Sequence, residues 1–251
     1  MKTYLAEATG NTFILADSLK KPFAERTFLH RILEIEDRDD ALILSEPLYK
    51  DDALSVKYQV LGRDKQFGEF CANGARAASA YLHQNYPGFS HYYLRTSRGE
   101  HLLKNFGNDH YSVTVPNPIY NLNPVFIRDA TQFKREFDYV YVEMIEPHLV
   151  IKGDISESTL FSLGQDLNKK NDLFPKGINV NAWHERENGD VFVRTYERGV
   201  QRLTLSCGTG SLSCAALLDR SKLAIFTQGG ELTIKKVDQG MELIGRATCD
   251  I

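Results

Sequence analysis

Short runs of β-branched and aromatic residues recur along this chain, at residues 41–45, 55–61, 111–115, 139–144 and 191–196. Their length and composition predict strands. Two stretches instead repeat apolar residues at helical spacing. Residues 22–35 set Phe23, Phe28, Ile32 and Leu33 on or near one face, and residues 157–168 form a second amphipathic helix. Two further segments follow neither pattern. Residues 72–83 read ANGARAASAYLH and residues 208–218 read GTGSLSCAALL. Each opens on glycine or asparagine turn residues and continues as a helix rich in Ala and Ser on every side. Such a helix is predicted to be packed all round, hence buried. Each also follows directly on a cysteine, Cys71 in the first half of the chain and Cys207 in the second. The pairing predicts an internal duplication, with two similar α+β halves and one central helix in each. Residues 116–124 carry three prolines and cannot form a central strand or a helix interior. They are the expected linker between halves at 1–116 and 117–251, with the last strand free to cross back to the first half.

The length of 251 residues fits one large domain or two of ordinary size. Apolar residues at 42% and charged residues at 25% are ordinary for a globular protein that needs no staples. The net charge of −3, with basic patches no longer than Lys235–Lys236, speaks against a nucleic-acid surface. The first residues include Glu7, Asn11 and Thr12, unlike a signal peptide. No window approaches the roughly 18 apolar residues of a membrane span. The expected location is cytoplasmic, where Cys71, Cys207, Cys214 and Cys249 are expected as thiols. No C-x-x-C pair is present, so no metal site is expected. Cysteine is often a core residue, so context must decide which of the four are chemical.

Context singles out Cys71 and Cys207. The first turn of a helix carries N–H groups without intrahelical partners, and these bind carboxylates. Glycine there lets a ligand approach the backbone. A cysteine at such an end has its thiolate favoured. Two such ends facing one cleft would share a carboxylate and set one sulfur on each side of it. That suits inversion of an amino-acid stereocentre, in which one base removes the α-proton and an acid delivers another to the opposite face. Cys214, within the second helix, and Cys249, in an expected terminal strand, are read as core.

Cys71-Ala72-Asn73-Gly74-Ala75-Arg76 and Cys207-Gly208-Thr209-Gly210 resemble the two signature motifs of the diaminopimelate epimerase family. Gly10-Asn11-Thr12-Phe13, Pro147-His148, Asn179-Val180 and Glu197-Arg198-Gly199 resemble further family motifs in the expected order, spanning nearly the whole chain. The resemblance implies two pseudo-symmetric α+β domains, each a mostly antiparallel sheet wrapped around a central helix. It implies Cys71 and Cys207 as the acid–base pair, with neither pyridoxal phosphate nor metal. His148 and Glu197 would help set thiol protonation, and the backbones of Ala72, Asn73, Gly208 and Thr209 would hold the reacting carboxylate. Asn11, Asn179, Glu197 and Arg198 would contact the substrate, Arg198 being suited to a distal carboxylate. A homodimer is also implied.

The chain departs from the family at several places. Ala72 replaces a glycine, Gly62 replaces an asparagine, and Asn-Pro-His has become Glu146-Pro147-His148. The segment from Glu197 to Cys207 is one residue longer. The reacting machinery is thus intact and the distal-group machinery altered. Diaminopimelate is the first expected substrate. The alternative is an amino acid with a cationic side chain (histidine, lysine or arginine), for which Glu146 supplies a carboxylate. A non-catalytic binding protein on the same scaffold is a third reading.

Overall fold

A computed structural model of the chain describes residues 2–20, 26–63, 65–120, 139–169 and 174–250. It divides into two compact units, one of residues 1–115 with 242–251 and one of residues 116–241.

The first unit opens with a hairpin of β1 (Lys2–Ala8) and β2 (Asn11–Asp17). Its two-residue turn, Thr9-Gly10, has φ of 49° and 86°, the left-handed geometry that suits the twist of a tight hairpin. Helix α1 (Arg26–Glu36) returns the chain so that β3 (Asp40–Lys50) runs parallel to β2. β4 (Ala53–Gly62) pairs antiparallel with β3, and the short β5 (Phe67–Gly68) pairs with β4. Helix α2 (Ala72–Asn85) then crosses to β6 (His91–Thr96), parallel to β4. β7 (Gly99–Gly107) and β8 (His110–Val115) continue antiparallel.

The second unit repeats this order. β9 (Tyr139–Met144) and β10 (Glu146–Lys152) form the opening hairpin. Helix α3 (Glu157–Lys169) leads to β11 (Asn179–Glu185), parallel to β10. β12 (Val191–Glu197) is antiparallel to β11 and carries the short β13 (Arg202–Thr204). Helix α4 (Gly208–Ala216) leads to β14 (Lys222–Thr227), parallel to β12, and β15 (Gly230–Val237) follows antiparallel. The last strand, β16 (Gly240–Cys249), belongs to the first unit from Glu242 onward. It lies next to β8 and pairs antiparallel with β1, at Ala6 opposite Cys249, which closes the first unit's sheet into a ring.

The fold is therefore α+β, each unit a mostly antiparallel sheet wrapped around a central helix. The burial pattern gives the reason. Every residue of α2 from Ala72 to Leu82 is buried, and so is every residue of α4 from Gly208 to Ala215. Small side chains allow strands to pass close on all sides, and α2 touches β1, β2, β3, β6, β7 and β8. β2 and β3 read as continuous buried runs because their other face is also covered. There α1 sets Leu29 and Leu33 on Ile14, Ala16, Ala41, Ile43 and Leu61. In the second unit α3 covers Leu149, Ile151, Val180 and Tyr196 through Leu160 and Leu167.

One expectation needs adjustment. The buried stripe of α1 is Leu29 and Leu33, one helical turn apart, with Ile32 packed beside it; Phe28 is exposed. Phe23 lies outside the described residues. The expected linker is described as far as residue 120. There Ile119 exchanges backbone hydrogen bonds of 3.0 and 2.7 Å with Glu143, so this part of the segment extends the edge of β9.

Candidate functional site

In the first unit Cys71 is the N-cap of α2, with extended backbone at φ −128° and ψ 111°. Its Sγ accepts from the Gly74 amide at 3.3 Å, taking the place that a serine or asparagine oxygen usually holds. The first intrahelical bond runs from Ala75 N to Cys71 O at 2.8 Å, so the amides of Ala72 and Asn73 precede the helical ladder. The same Cys71 carbonyl accepts from the Tyr58 hydroxyl at 3.0 Å.

A buried polar network supports this end of α2. Arg76, fully buried, donates to Asn73 Oδ1 at 2.6 Å, to Thr9 Oγ1 at 3.0 Å and to the Arg246 carbonyl at 3.0 Å. Asn73 Nδ2 in turn donates to Asn11 Oδ1 at 2.6 Å. The β1–β2 turn thus brings Thr9 and Asn11 beneath the helix. Burial lowers the Arg76 pKa to about 10, opposed by the negative charges of Cys71 and Glu7. Arg76 therefore remains a cation at neutral pH.

The second unit repeats the cap. Cys207, with φ −125° and ψ 112°, caps α4, and its Sγ accepts from the Gly210 amide at 3.4 Å. Thr209 Oγ1 lies 3.5 Å from the same sulfur. Ser211 N donates to Cys207 O at 2.9 Å, which leaves the amides of Gly208 and Thr209 ahead of the ladder.

The support beneath α4 differs from that beneath α2. Asn181 on β11 donates through Nδ2 to Leu149 O at 3.1 Å, which orients its amide. The same Nδ2 donates to His148 Nδ1 at 3.1 Å, and Oδ1 accepts from Thr195 Oγ1 at 2.9 Å. An imidazole nitrogen that accepts carries no proton, so the His148 proton sits on Nε2. His148 is fully buried, and its Nε2 has no hydrogen-bond partner among the described residues. Burial, and next the charge of Arg198, lowers its pKa to about 3. His148 is neutral at physiological pH.

Glu146 and Arg198 form a largely buried ion pair. Arg198 also donates from its guanidinium to Lys176 O at 2.7 Å and from its backbone to Asn179 Oδ1 at 3.0 Å. Glu146 follows Ile145, whose φ of 66° is a strained conformation for a β-branched residue. Glu197, at the end of β12, accepts from Thr204 Oγ1 at 2.6 Å.

Each residue singled out from the sequence therefore has a definite place. Asn11, Cys71, Ala72 and Asn73 cluster at the start of α2. Cys207, Gly208 and Thr209 form the start of α4, with His148 joined to it through Asn181. Glu146, Asn179 and Arg198 form a third group in the second unit. Sequence reading missed Thr9, Tyr58, Asn181 and Thr195, and gave Arg76 no role. Asn181 carried a signal, an asparagine two residues beyond Asn179 and hence on the same face of a strand. All four cysteines are free of disulfide bonds. Burial raises the Cys214 thiol far above its ordinary range and that of Cys249 to about 12, the Asp250 charge adding to the latter. Among the described residues no group of three His, Cys, Asp or Glu side chains gathers to hold a metal ion. No helix among them is long and apolar enough to cross a membrane.

No family model matches the chain. Curated relatives do. The chain is 29% identical over 257 residues to the diaminopimelate epimerase of Methanocella arvoryzae, covering 91% of this chain and 87% of that protein. It is 28% identical over 263 residues to the diaminopimelate epimerase of Archaeoglobus fulgidus, covering 95% and 90%. Among solved structures, a hydroxyproline epimerase from Agrobacterium vitis aligns with a TM-score of 0.71 at 14% identity, over 99% of this chain and 90% of that one. A phenazine biosynthesis protein of the PhzF family from Bacillus anthracis aligns at 0.66 with 11% identity, over 100% and 98%. The structural likenesses concern the fold. The resemblance seen in the motifs extends, through the curated relatives, over most of the chain.

Proposed function

We propose that this chain, an isomerase of the racemase and epimerase class by its relatives, inverts the α-carbon of an amino acid with Cys71 and Cys207 as its two proton carriers. One observation carries the reading. In each unit a cysteine caps the buried central helix in nearly the same backbone conformation, and each sulfur accepts the amide of a glycine three residues on. An amide donor and a helix N-terminus both stabilise negative charge on sulfur.

In this reading one thiolate takes the α-proton, and the electron pair of the C–H bond passes toward the carboxylate as enolate-like charge. The other cysteine, a thiol, delivers its proton to the opposite face. The two sulfurs have then exchanged protonation states, ready for the reverse direction. The amides of Ala72, Asn73, Gly208 and Thr209 would stabilise the carboxylate as its charge grows. Neutral His148 and the carboxylate of Glu197 help set thiol protonation. Asn11, Asn179, Glu146 and Arg198 address the rest of the substrate. The scheme needs neither pyridoxal phosphate nor metal. A cytoplasmic homodimer goes with the same reading, and sedimentation of the purified chain would test the dimer.

The names of the relatives put diaminopimelate first among substrates. A second reading is a racemase for an amino acid with a cationic side chain, motivated by the Glu146 carboxylate; the Arg198 cation paired with Glu146 stands against it. The test of the function is α-proton exchange in deuterated water across a panel of amino acids. An isomerase of this kind incorporates solvent deuterium at the α-carbon, whereas a binding protein incorporates none.

A further inference from the structure

We infer that Asn181 is a positioning residue that holds His148 as a hydrogen-bond donor, and that His148 serves the reaction through a hydrogen bond from Nε2 and takes up no proton itself. The inference deepens the proposed function and rests on the reading that Cys207 is one of the two proton carriers.

The polarity of the network starts at a group that can only accept. The Leu149 carbonyl takes a hydrogen bond from Asn181 at 3.1 Å, so the amide atom turned to it is Nδ2. Oδ1 then faces Thr195, whose hydroxyl donates to it at 2.9 Å. The second Nδ2 hydrogen points to His148 Nδ1 at 3.1 Å, and a donor there requires a bare nitrogen. Turning the amide over would set Oδ1 against the Leu149 carbonyl. A proton on Nδ1 would face the Nδ2 hydrogens, donor against donor. His148, Asn181 and Thr195 are all buried, where such a mismatch is costly. The charge of Arg198 also opposes a second proton on the ring.

The ring's one proton, on Nε2, meets no acceptor among the described residues. A buried donor of this kind marks a place for an acceptor. Helix α4 packs on β10 and β11, the strands that carry His148 and Asn181. Asn181 lies against Gly210, where a side chain would collide with its Oδ1, and the Gly210 amide caps the Cys207 sulfur. A helix start favours anions, so the acceptor carries negative charge, as a thiolate or a carboxylate does.

Nitrogen-15 spectra of histidine-labelled protein would read the tautomer directly. Wild type should keep its proton on Nε2 and a bare Nδ1 across about pH 5 to 8, where an ordinary imidazole titrates. The Nε2 proton signal should shift on adding L,L-diaminopimelate if the acceptor is a carboxylate, and should differ in Cys207→Ala if it is the thiolate; a signal unmoved by both would overturn the inference. Asn181→Asp replaces the donor by a carboxylate that only accepts, so Nδ1 should gain a proton and His148 should titrate within that range. Below the new pKa the imidazolium still donates from Nε2. Above it the proton stays on Nδ1 and the Nε2 donor is gone, so kcat should fall by about a hundredfold, the scale of one lost donor to a developing charge, with less change in KM. A base role requires the reverse, because a carboxylate behind Nδ1 and a bare Nε2 make a proton acceptor. A kcat that rises or stays level above that pKa, or a wild-type proton on Nδ1, would overturn the inference and leave the two-thiol reading standing. Should Asn181→Asp fail to fold, His148→Gln decides. Its amide donates but takes no proton, so it should retain turnover that His148→Leu loses, and equal loss in both would overturn the inference. Absence of α-proton exchange with every amino acid in wild type would instead overturn the proposed function, and the donor role with it.

Discussion

Gly210→Ala should damage this protein more than Gly74→Ala, although both glycines stand three residues after a capping cysteine. A Cβ on Gly74 would lie 2.6 Å from Leu42 Cδ2 and 2.6 Å from the Tyr58 hydroxyl. Both are the far ends of side chains, and relief costs a rotation of Leu42 and the Tyr58 bond to Cys71 O. A Cβ on Gly210 would collide with Asn181 Oδ1 and lie 2.9 Å from Thr195 Oγ1. Asn181 cannot swing aside, because its amide is tied to His148, Leu149 and Thr195. Overpacking a tight site costs about 1–3 kcal/mol, and each of two displaced hydrogen bonds adds about 1 kcal/mol. Alanine's helix propensity returns about 1 kcal/mol. The net loss is about 2–4 kcal/mol for Gly210→Ala and about 1–3 kcal/mol for Gly74→Ala, from the overpacking and hydrogen-bond scales. Urea denaturation of both variants would read these values. Gly68→Ala is the control, since a Cβ there meets only Val60 Cβ at 3.9 Å. A Gly210→Ala protein within about 0.5 kcal/mol of wild type, the range of an inert surface change, would show that the Asn181 network does not hold the α4 cap.

Cys71→Ala and Cys207→Ala should each reduce α-carbon inversion by orders of magnitude, because paired groups of this kind act as a unit; near-normal turnover in either, measured by circular dichroism of the product, would remove the two-thiol mechanism. Cys214→Ala and Cys249→Ala should keep their activity at a packing cost of about 1–2 kcal/mol. Acid should weaken the fold through His148. Its folded pKa of about 3 lies below the ordinary 6.5, so between those values the unfolded chain holds the extra proton, and stability drops as pH falls through that window by up to about 1.4 kcal/mol per pH unit. His148→Gln should flatten that part of the pH–stability curve; an unchanged slope would mean that other groups set it.

Much of this architecture is legible in the chain itself, for a physical reason. The segments ANGARAASAYLH and GTGSLSCAALL cannot expose one face and bury another, so they announce central helices. The turn residues before them place the cysteines at helix starts. Strands such as 139–144 and 191–196 show because β-branched and aromatic residues cluster there. The face of α1 was harder to read. Phe28 is the larger apolar residue, yet Leu29 and Leu33 share the turn that meets β2 and β3. Least legible are the supports. Arg76 meets Thr9 across 67 positions and the Arg246 carbonyl across 170, and no local pattern encodes such a contact. The Glu146–Arg198 pair spans 52 positions. Seen singly, Glu146 reads as a group for the substrate and Arg198 as another; together they satisfy each other.

The two units share the cap, the glycine at the third following position and the small residues of the central helix. Beneath the caps they differ, with a buried cation at Arg76 in one and a neutral trio of His148, Asn181 and Thr195 in the other. A cation near a sulfur attracts negative charge to it, and a neutral amide network does so far less. Cys71 is also partly accessible, whereas Cys207 is 7% exposed. Thiolate rather than thiol attacks an alkylating agent, so iodoacetamide should label Cys71 before Cys207 in the substrate-free enzyme. Arg76→Met should slow labelling at Cys71 and leave Cys207 unaffected, which separates the charge of Arg76 from accessibility. Arg76→Lys keeps the cation and should restore part of the rate. Equal labelling of the two cysteines in wild type, followed by peptide mapping over time, would show that the divergence beneath the caps is a matter of packing and does not reach the sulfurs.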